Sequence, residues 1–106
     1  MYQYAARLIR VLDADTVALD LDLGFYQWRL NRSYRLARIN APEMSTPEGV
    51  SAKAALVDYL TDSHTFLVST SRADSFDRWI VELYADGSNV SDWLVANDHA
   101  VYHTYH

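Results

Sequence analysis

Hydrophobic residues alternate with polar ones through the first forty residues, and after Pro42 they recur at helical spacing. The alternation is clearest in Thr16–Leu23, where Val17, Leu19, Leu21 and Leu23 interleave with Ala18, Asp20 and Asp22. It predicts a strand with one face in a core and the other toward water. Comparable runs predict strands at Tyr4–Leu12 and Trp28–Ile39, joined through Asp13-Ala14-Asp15 and through a connection that opens at Gly24. Pro47 and Glu48 suit the first turn of a helix reaching about Thr61, with Thr46 as its N-cap. Ala52, Ala55, Leu56, Tyr59 and Leu60 would form its buried side. Thr65–Thr70 and Arg78–Ala85 read as two more strands, the second ending in the turn Asp86-Gly87. A final helix, Val90 to about Asn97, follows a cap at Ser88 or Asn89 and buries Val90, Trp93 and Leu94.

Three strands, a helix, two strands and a helix make an α+β chain that is mainly β. A helix between the third and fourth of five strands is the element order of an OB-fold, a small Greek-key barrel. The expectation is therefore a five-stranded OB-fold barrel with two helices, in one domain spanning residues 1–106. Half of the 106 residues are hydrophobic, enough for one core and too few for two domains. With no cysteine, any metal would depend on oxygen or imidazole ligands. No run approaches the roughly 18 apolar residues of a membrane span, and no signal-peptide core is seen near Met1. A cytoplasmic protein with no membrane partner is expected, in a bacterial or phage setting.

The net charge of −5 argues against a protein that coats nucleic acid electrostatically. It leaves room for a local cationic site. Arg29, Arg32, Arg35 and Arg38 fall close together, and eight of the nine cationic residues are Arg, whose planar fork suits phosphate.

The run Arg35-Leu36-Ala37-Arg38-Ile39-Asn40-Ala41-Pro42-Glu43 resembles the signature of the staphylococcal nuclease-like (thermonuclease) family. Further blocks follow in that family's order: Asp13-Ala14-Asp15-Thr16-Val17 ahead of it, then Pro47-Glu48-Gly49 with Ser51-Ala52, Asp74-Ser75-Phe76-Asp77-Arg78, and Tyr84-Ala85-Asp86-Gly87 with Val90, Leu94 and Val95. Together they span about Tyr4 to Val101. Hydrolysing a phosphodiester takes a positioned water, a base for its proton, and positive charge on the non-bridging oxygens. The resemblance assigns Glu43 as the base, Arg35 as the cation that grips the phosphate, and Arg78 as the second cation, facing the leaving oxygen. Asp15, Asn40 and the backbone carbonyl of Ala41 correspond to the calcium ligands, with water completing the shell. Other divalent metals fit the same donors.

Some positions depart from the family pattern. Asn40 stands in place of an Asp, which removes a charge from the metal shell and should weaken calcium binding. Ala41 replaces a Thr whose hydroxyl supports the site. Ala14 replaces a Gly, which would cost about 1 kcal/mol if the backbone there has positive φ. Asp13 reads as a turn residue, with an auxiliary acid near the metal as the alternative. Arg38, three residues from Arg35, should not share its face. Phe76 stands where relatives carry a substrate-binding Tyr, and Tyr102, chosen over Tyr105, where another approaches the nucleotide. The tail histidines His99, His103 and His106 read as a frayed end, His64 as a loop residue, and Trp28, Trp79 and Trp93 as packing residues.

The resemblance implies a calcium-dependent nuclease cleaving DNA or RNA with low sequence specificity, breaking the bond to the 5′ oxygen. Single-stranded substrate is favoured, because a small cleft with a flat aromatic rim suits splayed bases. The alternative is a weakly active or inactive barrel that binds single-stranded nucleic acid or a protein. Because the longer relatives have a third helix, exposed apolar surface here could also support self-association.

Overall fold

The alternating segments form an antiparallel meander of β1 (Gln3–Asp13), β2 (Thr16–Gly24) and β3 (Gln27–Leu36). The computed structural model describes the backbone of residues 3–75 and 78–103, and their side chains outside 71–78. Register is set by apolar pairs that share the inner face, Leu8 with Leu19 and Val17 with Tyr34 among them. Both connections are two-residue turns. Ala14-Asp15 links Asp13 to its partner Thr16, and Phe25-Tyr26 links Gly24 to its partner Gln27. Phe25 and Tyr26 have φ of 54° and 62°, the backbone of a type I′ hairpin whose twist matches the strands.

After β3 the chain turns through Ala37-Arg38 into the two-residue β4 (Ile39–Asn40). The expected strand to Ile39 is thus broken at Arg38, whose φ of 66° is incompatible with an extended ladder. Helix α1 (Pro47–Thr61) begins as expected, with Pro47 in its first turn and the Thr46 side chain accepting from the Gly49 amide. It buries Gly49, Ala52, Leu56 and Leu60, while Ala55 and Tyr59 are half-buried. Strand β5 (Phe66–Ser75) runs five residues past the expected end at Thr70, paired along its length with β6 (Arg78–Ala85). The two-residue β7 (Ser88–Asn89) leads into α2 (Val90–Ala96), capped by Asn89. β8 (Val101–Tyr102) then pairs with β4.

β1 lies between β2 and β5, and β3 closes against β6 in parallel, Arg35 opposite Ile80 and Leu36 opposite Val81. Five strands thus close into a barrel with two helices, the expected OB-like architecture. Closure leaves the long strands no free edge at this seam. Val17, Leu19, Leu36, Val68, Val81 and Leu83 fill it, and Leu56 and Leu60 of α1 with Val90 and Leu94 of α2 pack on the same cluster. β2 departs from simple alternation, since Thr16–Leu21 is buried on both faces. Asp20 tolerates this because its carboxylate accepts from the Asn31 amide at 2.7 Å and pairs with Arg7 at 3.2 Å. Among the described residues no helix is long and apolar enough to cross a membrane.

Candidate active site

The Ala14-Asp15 turn is fixed against the end of β3 by a hydrogen bond from the Leu36 amide to the Asp15 carbonyl, 2.8 Å. That contact brings the Asp15 carboxylate to the Arg35 guanidinium, with Oδ2 to Nη2 at 3.5 Å. Both side chains are largely shielded, Arg35 18% and Asp15 13% exposed, so their attraction is less screened than at an open surface. Arg35 Nη2 also donates to Asn40 Oδ1 at 3.3 Å and reaches the Ile39 carbonyl at 3.5 Å. Asp15 accepts from the Ala41 amide at Oδ2, 3.4 Å, and from the Thr16 hydroxyl at Oδ1, 3.2 Å.

Glu43 stands across an open cleft of about 300 Å³ lined by Asp13, Asp15, Arg35, Asn40, Ala41, Pro42, Glu43 and Met44. Its side chain is exposed, but its backbone is not free to wander. The Glu43 carbonyl accepts from the Thr46 amide at 3.0 Å and the Thr46 hydroxyl at 2.7 Å, and that hydroxyl accepts from the Gly49 amide. Gly49 permits this close approach. A Cβ on it would stand 1.9 Å from the Glu43 carbonyl oxygen and 2.9 Å from that of Pro42. The first turn of α1 therefore places the segment carrying Glu43.

The side-chain donors of the cleft are oxygens: the carboxylates of Asp13, Asp15 and Glu43 and the amide oxygen of Asn40. Such a set suits a hard divalent cation such as calcium more than a softer metal. Among the described residues no three His, Cys, Asp or Glu side chains converge closely enough to hold a metal alone. A cation here would also need Asn40, a backbone carbonyl and water, which is how calcium shells are often completed.

The cleft thus gathers Asp15, Arg35, Asn40, Ala41 and Glu43, five residues from the β1–β2 turn, the end of β3, β4 and the segment that leads into α1. Asp13, read first as a turn residue and second as an auxiliary acid near the metal, lines it as well. For Arg78 the backbone alone is described: β6 starts there, two residues before Ile80, the register partner of Arg35. Phe76, Tyr105 and His106 lie outside the described residues. Tyr102 does not line the cleft. Its hydroxyl donates to Asp92 at 2.8 Å, and it belongs with Arg38, which grips Glu82 through Nε and Nη2 and reaches Asp92 at 3.1 Å through Nη1. Arg38 thus pairs with a different set of groups from Arg35, and the turn at Arg38, rather than strand alternation, separates them.

Other expectations are corrected. The tail is docked as far as His103, whose amide donates to the Arg38 carbonyl, and His99 is tied to Leu94 and lies against Trp93. Trp93 packs, stacked on Tyr59 at 4.1 Å, but Trp28 and Trp79 are 40% and 37% exposed. Trp28 instead carries the Arg7 guanidinium 4.3 Å above its ring. No protein-family model matches the chain, and neither does any curated protein.

Proposed function

We propose that the chain is a staphylococcal-nuclease-like, calcium-dependent phosphodiesterase acting on DNA or RNA. The observation that carries this reading is the meeting of Asp15, Arg35, Asn40 and Glu43 in one open, oxygen-rich cleft. Arg35 sits at its wall with a guanidinium suited to a phosphate's non-bridging oxygens. Glu43 offers an exposed carboxylate on anchored backbone, the arrangement a general base needs to take a proton from water. Arg78 supplies the second cation in this reading. Asp15, Asn40 and the Ala41 carbonyl would hold the metal, which when bound supplies positive charge and acidifies water.

The test is cleavage of labelled single-stranded and duplex DNA and RNA across a panel of divalent cations, with Glu43→Ala beside the unaltered chain. Loss of a general base should slow turnover about 10²- to 10⁴-fold. Absence of cleavage with every metal, or full activity in the variant, would sink the proposal. One feature favours a second reading, a binding module of low activity. Arg35 is shared between Asp15 and Asn40, so the cation meant for phosphate is already engaged by two of the groups meant for metal. Binding that is insensitive to calcium and unaccompanied by turnover would select it.

A further inference from the structure

The β2–β3 hairpin ends in Phe25 and Tyr26, and both residues run against local chemistry. Their backbones have φ of 54° and 62°, the left-handed region that Gly and Asn enter at least cost and that an aromatic residue resists. Their side chains are 96% and 102% exposed, so neither ring is covered by its own chain. A turn selected for folding alone would carry Asn-Gly here. Two rings held in water on an unfavourable backbone are placed for contact with something outside the chain. Leu23, Trp28 and Leu30 are exposed as well and extend the apolar surface away from the tip.

A receptor for such a ring lies beside the tip. A cavity of about 200 Å³ opens at this end of the barrel, with Tyr4, Leu21, Leu23 and Trp79 in its walls and Arg29 as its charged residue. Leu23 stands two residues before Phe25, so tip and cavity belong to one surface. The cavity is smaller than the roughly 300 Å³ at which pockets begin to hold drug-sized molecules, and its leucine and aromatic walls offer little to a polar ligand. One aromatic side chain suits both its size and its lining. The hairpin does not fill the cavity of its own chain, because the two-residue turn keeps both rings outside.

A ring and a cavity fit for a ring, on one surface and unable to meet within one chain, are self-complementary. We propose that two copies of this chain associate about a two-fold axis, each inserting a hairpin-tip ring into the barrel-end cavity of the other. The charge pattern fits a second copy better than a polyanion. From residue 20 to residue 32, Asp20 and Asp22 balance Arg29 and Arg32, so this segment carries none of the chain's net charge of −5 and two copies meet on it without net repulsion. The area is also sufficient. Aromatic side chains bury roughly 150–250 Å² each, so two tips of two rings, with the surfaces that receive them, remove about 1,200–2,000 Å², the span of a standard stable interface. None of these residues lines the acidic cleft, so the association stands or falls separately from the function proposed above.

The test is analytical ultracentrifugation of the full chain from micromolar to millimolar concentration, where the parent should show a concentration-dependent dimer. Two variants separate the halves of the contact. Phe25→Asn with Tyr26→Gly supplies the preferred turn and removes both rings, while Leu23→Glu places a charge at the cavity and leaves the tip intact. Each variant alone should dimerise about 100-fold more weakly than the parent. An equimolar mixture of the two should recover a heterodimer of intermediate strength, because the tip of the Leu23→Glu chain still finds the open cavity of the tip variant. Packing of tip on tip gives no such recovery. At a concentration where every form is monomeric the tip variant should melt at or above the parent, which separates lost association from lost fold. A parent that stays monomeric throughout, a tip variant that dimerises as the parent does, or a mixture no stronger than its components overturns the proposal. Tip-dependent binding of anionic vesicles or of oligothymidylate by a monomeric parent would also overturn it and give the tip a different partner.

Discussion

Gly49 governs the position of the candidate base without touching its carboxylate. The close packing of α1 on the Pro42–Glu43 backbone leaves no space for a Cβ, and the obstructing atoms are backbone, which cannot swing aside. Gly49→Ala must push the Glu43 segment or the first turn of α1. Overpacking of this kind costs about 1–3 kcal/mol, measurable by urea unfolding. A displacement near 1 Å at a reacting group costs about 100-fold in turnover. The expected result is a folded protein whose cleavage rate falls far more than its stability; full activity would show that Glu43 needs no such placement. The sequence displays Gly49 inside a motif but gives no sign of this role, because the clash involves backbone brought in by the fold. Ala14 is the converse case. It stands where the resemblance expects Gly, yet it is absent from the positive-φ positions, so the substitution carries no backbone strain.

Among the elements, the strands of the meander and both helix starts were legible, since periodicity and caps are local signals. The break in β3 was not. Arg38 continues an alternating run on paper, and only the contacts it gains elsewhere favour its left-handed backbone. Those contacts tie β6, α2 and β8 together: Glu82, Asp92 and Tyr102 all gather at one guanidinium. Two-residue pairings such as β4 with β8 are too short for any periodic signal. The hydrogen bond from Arg38, and then that from Tyr102, holds Asp92 below the usual carboxylate range. A depressed folded value means stability that is present above the ordinary carboxylate pKa and lost as pH falls through the folded one. Arg38 is 44% exposed, so solvent screening limits its worth. Arg38→Ala should destabilise the chain by about 1 kcal/mol or less at pH 7. In urea titrations the gap between variant and parent should close at acid pH, as the carboxylates protonate. A gap that persists undiminished in acid would assign the effect to packing of the arginine stem instead.

At the scale of the whole molecule, the proposed function asks a chain of net charge −5 to hold a polyanion. The cations are not interchangeable. Arg7 is paired with Asp20 and Arg38 with Glu82 and Asp92, and Arg35 itself is paired with Asp15, so Arg35 reaches a phosphate only by giving up that partner. The proposed cleft draws on Arg35 at the end of β3 and Arg78 at the start of β6. In the proposed reading the attraction that matters for chemistry is concentrated where β3 meets β6. For a single strand each neutralised phosphate contributes about −0.7 to the slope of log K against log salt, so two contacts give a slope of about −1.4. Anisotropy titrations of Glu43→Ala with oligothymidylate at several salt concentrations measure it directly. A slope twice as steep would require cations beyond this seam and a broad basic face that the pairing of Arg7 and Arg38 does not provide. A slope near zero would mean that stacking alone carries the contact, and would remove Arg35 from the phosphate. The intermediate value is the one that engages Arg35 and Arg78 together, from the two strands that meet at this seam.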